Sequence, residues 1–314
     1  MPFSSLRRFS LPFAILLFLA ACHQNMPQAA LKKSLQLVKA ADFAGYWAQA
    51  LPPADYANIR ADWQQLQQPY RPLSTDQELG FEQFMHKFTM PAAKAQLYRQ
   101  LQPQLLKIQK KYQSQMPVLI GIVQVVASSG IAKSRLLTPA QKKQVEQVLV
   151  DALIPWLRKA QWFDQAKAKQ AVGVVVDTVR QLKLKKLDDL HTQNFDISMK
   201  RYADLFIGIK KLLAIYGLSV DDVLDSIRFR SAHIKDSKAC LKYSYVVLGR
   251  TFHGAMQMEK IRDHWYSTAL LNDLRKRHQA LVQRRATVAA ATLGTHHNVP
   301  QQSHAGVKST VKTR

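Results

Sequence analysis

Three apolar stripes at helical spacing constrain the fold of this chain more than any other feature. Val145, Val148, Leu149, Ala152 and Trp156 follow the start signal Thr138-Pro139-Ala140-Gln141. Ala168, Ala171, Val172, Val175, Val179 and Leu182 form the second stripe. Tyr202, Leu205, Phe206, Ile209, Leu212, Leu213 and Tyr216 form the third, which Gly217 stops. Residues recurring at i, i+3, i+4 and i+7 share one side of a helix, and each such helix must hide that side. Stripes of this kind bury against one another, so the spacing predicts a helical bundle. Only 11 Gly and 13 Pro among 314 residues argue against a turn-rich all-β chain, and 47% hydrophobic residues suffice for a sizeable core.

Helices are also predicted upstream, over 31–41, 43–51 and 54–68, the last two separated by Pro52-Pro53. Thr75 with Glu78 reads as a capping box opening a helix that runs to Phe88. Pro91 suits the first turn of the next helix. Residues 116–132 (MPVLIGIVQVVASSGIA) are the most apolar interior stretch, flanked by Lys110, Lys111, Lys133 and Arg135. A central core helix is expected there. A membrane span is disfavoured by Gln124, Ser128, Ser129, Gly121 and Gly130, and by a length below the usual ~20 residues. A surface helix that dips into lipid is the remaining alternative.

The period changes after Ser219-Val220-Asp221-Asp222, which starts one short helix. Ile227, Phe229, Ser231 and His233 then alternate with Arg228, Arg230, Ala232 and Ile234. Leu241, Tyr243, Tyr245 and Val247 alternate with Cys240, Lys242, Ser244 and Val246, and Phe252, Gly254, Met256 and Met258 with Thr251, His253, Ala255 and Gln257. Period two with turns between the runs predicts an antiparallel meander, closed by a short strand at His264-Trp265-Tyr266. A helix from Thr268 to about Arg285 follows. The fold class is therefore mainly α with a small α+β end: a helical bundle, then a three- to four-stranded antiparallel meander packed on helices. The expected divisions are 31–218, 219–286, and a basic tail, 287–314, too poor in large apolar residues to order itself.

The first residues carry a different signal. Arg7 and Arg8 precede the uncharged run LPFAILLFL, and the small residues Ala20 and Ala21 follow. This is the layout of a secretory signal. Leu19-Ala20-Ala21-Cys22 resembles the lipobox of bacterial lipoproteins. That resemblance implies acylation of the Cys22 thiol, cleavage just before it, and a bilayer as the first partner. His23 stands where an Asp retains such proteins in the inner membrane, so the resemblance implies the outer membrane of a Gram-negative envelope. A plain secretory signal cut after an Ala, with no lipid, is the alternative. Residues 22–30 then form a short tether. The body resembles gammaproteobacterial envelope proteins with a helical first part and a small α+β end. Its helix–meander end resembles small cone-shaped ligand-binding domains.

Lys+Arg outnumber Asp+Glu by 45 to 21, a net charge of +24, of which +22 remains once residues 1–21 are removed. So basic a chain favours polyanions. Basic clusters at Lys110, Lys111, Arg275, Lys276, Arg277, Arg284 and Arg285 are candidate contacts with anionic lipids or lipopolysaccharide, each worth ~1 kcal/mol near a charged surface. Nucleic acid is disfavoured: no groove-reading motif is present, and an exported protein rarely meets it. Two cysteines, Cys22 and Cys240, exclude a disulfide framework. No nucleophile elbow, metalloprotease helix, phosphate loop or dinucleotide fingerprint occurs. His191 near Asp188 and Asp189, and His296, His297 and His304 in the tail, read as solvated polar residues. No catalytic residue, metal site or cofactor is expected. The favoured reading is a membrane-anchored, non-enzymatic interaction or scaffold module that meets envelope proteins or lipids. A carrier of a lipid-like ligand lined by Phe229, Tyr243, Tyr245 and Met256 is the first alternative. An enzyme without a sequence motif is the second.

Overall fold

The computed structural model describes residues 26–66, 74–134, 137–186, 189 and 194–295. Cys22, the signal, His191 and residues 296–314 lie outside the described residues.

The fold is mainly helical with a small antiparallel sheet near its end, as the periods predict. Helix α1 (Pro27–Lys39) begins earlier than its first apolar residue suggests, because Pro27 fits the first turn of a helix. The helices α2 (Phe43–Ala50) and α3 (Pro53–Leu66) follow. Helix α4 (Thr75–Thr89) is opened by a capping box one residue upstream of the expected pair: Ser74 and Gln77 satisfy each other's backbone N–H groups. Next come α5 (Ala93–Tyr112), one 3-10 turn (Gln113–Gln115), and α6 (Met116–Lys133). Thr138 and Gln141 form the capping box of α7 (Pro139–Val148), as the start signal predicts. A π turn (Leu149–Leu153) joins α7 to α8 (Ile154–Lys159). Pro155 explains it: with no N–H for the Asp151 carbonyl, the ladder slips, and the Ile154 N–H bonds Leu149 five residues back.

The second and third stripes lie on α9 (Gln165–Leu182) and α10 (Phe195–Ile215), which pack side by side. Their contact line differs from the expected one. On α10 it runs through Phe195, Ser198, Met199 and Gly208, leaving Tyr202, Leu205 and Ile209 exposed. A β-carbon on Gly208 would collide with Thr178 Oγ1, so the missing side chain draws the close approach to that side.

After α11 (Val220–Asp225), strands β1 (Arg228–Lys235), β2 (Lys238–Val247), β3 (Arg250–Ile261) and β4 (His264–Ser267) form an antiparallel sheet in the order β1-β2-β3-β4. The β2–β3 turn places Leu248 and Gly249 at φ 50° and 80°, the mirror-image geometry that suits the strand twist. A bulge between Phe229 and Ser231 overturns the expected alternation of β1. One extra residue reverses the faces, so Ala232 joins Phe229 on the core side, where the simple alternation puts Ser231.

The sheet and the helices share their core. Ala30 and Leu31 of α1 pack against Leu241, Met258 and Trp265, while Ala152 and Leu218 pack against Val247 and Phe252. Leu51, Tyr266 and Leu271 join α2, β4 and α12 (Thr268–Thr295). Helix α12 continues to Thr295, past the expected end near Arg285, so the first part of the predicted unstructured tail, 287–295, is helical. Ala286, Ala289, Ala290 and Ala291 are strong helix formers and need no buried stripe to extend an existing helix.

Candidate membrane-contact surface

Helix α6 is not a core helix. Val118, Leu119, Ile122, Val123, Val125 and Val126 are 38–69% exposed, and Ile120 alone is buried. The inner side carries Met116, Ile120, Ala127 and Ile131, which pack on Leu149, Leu153, Ile154 and Leu157. Ser128 also turns towards the body and donates to Glu146 Oε1 at 2.5 Å. The helix is thus apolar nearly all round and leaves most of its branched aliphatic residues outward, with Ser129 among them, unlike a surface helix in water. The run Ala93–Lys133 is long and apolar enough to cross a membrane by length and composition, and only 6% of its most apolar window is buried.

Charge flanks this surface. Lys107, Lys110 and Lys111 are exposed near the end of α5, beside the partly exposed Leu106 and Ile108. Lys111 Nζ lies 5.0 Å from the Tyr112 ring centre. At the far end Lys133 is exposed, and Lys142 Nζ donates to the Ala132 carbonyl, closing the last turn of α6.

The expected basic cluster of α12 is mostly committed within the fold. Arg275 makes a bidentate pair with Asp55, at 3.0 and 2.7 Å, and lies 3.8 Å from Glu259. Arg277 pairs with Asp273 at 2.8 Å, and Arg285 reaches Asp62 at 3.4 Å. Lys276 and Arg284 are exposed. Of the expected anionic-surface contacts, Lys110 and Lys111 are therefore better placed than Arg275, Arg277 or Arg285. Asp62 also holds His278 Nδ1 at 2.9 Å, tying α3 to α12.

Three of the four expected ligand-lining residues lie in packed surroundings. Phe229 packs against the cluster of Leu241, Met258 and Trp265. Tyr243 covers Gly254 so closely that a β-carbon there would collide with Tyr243 Cζ. Tyr245 stacks on Phe252 at 5.7 Å and accepts from Gln144 Nε2 at 3.1 Å. Met256 alone lines a cavity, one of about 630 Å³ walled by α1, α2, β3, β4 and α12. Leu31, Leu35, Val38 and Trp265 give it an apolar wall. Burial pushes the phenols of Tyr46 and Tyr266, also in that wall, above the ordinary tyrosine value, so they enter as neutral hydroxyls. A second pocket, of about 440 Å³, is walled by Phe43, Trp47, Trp63, Phe195 and Tyr202, with Asp62 and Arg277 among its lining.

Cys240 is half-buried on the face of β2 away from the core, across from His233 and Gln257. Among the described residues, no group of three or more His, Cys, Asp or Glu is placed to hold a metal ion. Sequence reasoning missed the outward valines of α6; the signal that could have found them is an apolar helix with lysines at both ends. No known protein family, no curated protein and no solved structure matches the chain.

Proposed function

We propose that this chain is a lipid-anchored protein of the bacterial envelope, a non-enzymatic interaction or scaffold module on the periplasmic side of the outer membrane. The observation that carries this reading is the lipobox Leu19-Ala20-Ala21-Cys22 in sequence with a helix fixed to the body from Pro27 onward. Only residues 23–26 separate Cys22 from α1, a reach of at most ~14 Å, so acylation of Cys22 would hold the body against the bilayer. Two or more acyl chains give stable attachment. The exposed apolar side of α6 and the basic surface are compatible with that position. Anionic lipids, lipopolysaccharide and other envelope proteins are the partners the chemistry favours.

The test is labelled-palmitate incorporation into the wild type and Cys22→Ala. The wild type takes up label and the variant does not; equal labelling overturns the anchor. A carrier function is a second reading, favoured by the cavity beside Met256. Its test is native mass spectrometry of the purified protein, in which a lipid-sized adduct lost in Met256→Trp would support it.

A further inference from the structure

We infer that α6 is a second, non-covalent membrane contact: an interfacial helix that lies flat in the surface of an anionic phospholipid bilayer, outer side down. This deepens the anchored reading and takes only its compartment from it.

The outward side of α6 offers Val118, Leu119, Ile122, Val123, Val125 and Val126, with the single small hydroxyl of Ser129 beside them. Such a contiguous apolar surface marks an interaction site. Residues 118–126 rise about 12 Å along the helix, so a little over two turns present this surface together. The helix does not leave the body: Ile120 is buried, and Ser128 is bonded to Glu146. A helix held along one side can immerse only the other, to roughly 5–10 Å, and so lies in the interface rather than crossing it.

Charge selects lipid over a second copy of the chain. Between Glu82 and Glu146 the sequence holds ten Lys or Arg and no Asp or Glu. Lys107, Lys110 and Lys111 at one end and Lys133 at the other can extend their stems along the apolar surface and keep their ammonium groups among lipid phosphates. Two copies meeting through α6 would set lysine clusters against lysine clusters in either direction, and like charges suppress such pairing.

The experiment uses the full chain purified from the membrane fraction of cells fed labelled palmitate and reconstituted in vesicles of phosphatidylcholine with or without phosphatidylglycerol, with bromine on the acyl chains. Val125→Trp adds an indole at the most exposed position of the helix, and Val118→Trp repeats the test one turn or more away. Both added indoles are quenched, more strongly with phosphatidylglycerol. Replacing Lys107, Lys110 and Lys111 by Gln weakens the phosphatidylglycerol effect about fivefold per lysine removed. Vesicles that float with the protein while neither added indole is quenched would overturn the inference and leave the anchor standing. Quenching without acyl label on Cys22 would overturn the anchor and leave the inference standing. Quenching that is deepest at the bilayer centre would mean a span and also overturns the interfacial assignment.

Discussion

Ser128 Oγ donates to Glu146 Oε1 at 2.5 Å, and this contact fixes which side of α6 faces the body. The partner of Ser128 is the first acidic residue after a long basic stretch, and it lies inward on α7. The bond ties the Ser128 edge of α6 to the body and leaves its valines outward. Ser128→Ala therefore lowers stability by about 1.5 kcal/mol, the low end for a bond to a charged group at a half-buried site. Urea unfolding midpoints measure it. A loss below the error of the method would mean that the contact does not hold the helix.

Two neighbouring isoleucines read the orientation of α6 directly. Ile120 is 5% exposed and packs on Leu149 and Ile154, whereas Ile122 is 55% exposed. Ile120→Ala should cost about 2–5 kcal/mol, as buried large-to-small changes do. Ile122→Ala should stay within about 0.5 kcal/mol in solution. Equal losses would contradict the assigned sides.

Arg275 distinguishes structural from surface charge. Its bidentate partner Asp55 is largely buried, so Arg275→Ala leaves a carboxylate with poor solvation. Because Arg275 itself is 43% exposed, the expected loss is reduced to about 1–2 kcal/mol. Vesicle affinity should be nearly unchanged, in contrast to Lys110→Gln or Lys111→Gln. An affinity loss in Arg275→Ala as large as theirs would restore Arg275 as a lipid contact.

The Arg60–Asp196 pair gives a pH dependence with a defined sign. The guanidinium beside it, at 2.6 Å, holds the Asp196 carboxyl below the usual carboxylate range. A depressed folded value means that the unfolded chain takes up the proton first on acidification. The pair's contribution is therefore complete above about pH 4, and is lost as pH falls through the depressed value. Thermal midpoints of wild type and Asp196→Asn should differ at neutral pH and converge in acid. A constant difference across that range would contradict the assignment.

What the sequence made legible was local or periodic. The helix start at Thr138 and the meander between Arg228 and Tyr266 appear where the sequence places them, because caps and period-two faces are local, whereas the stripe after Thr138 is broken by the π turn and leaves Val145 exposed. The bulge at Arg230 was not legible, since one inserted residue reverses every later face of β1 without changing the alternation. The pairing of Arg275 was not legible either, because Asp55 lies 220 residues away in the chain. An α6 apolar nearly all round has the same sequence pattern in a protein core and at a bilayer. Only its neighbours decide, and they cover the Ile120 side alone. The resemblance of Leu19-Ala20-Ala21-Cys22 to a lipobox, by contrast, rests on four consecutive residues outside the described structure.

The proposed anchor requires a mature chain that begins at Cys22 and is held there by lipid. Mass spectrometry of the amino-terminal peptide, taken from protein purified out of the membrane fraction, tests it most directly. An anchored chain yields a peptide that starts at Cys22 and carries the mass of its acyl groups. A peptide that starts elsewhere, or at an unmodified Cys22, would contradict it.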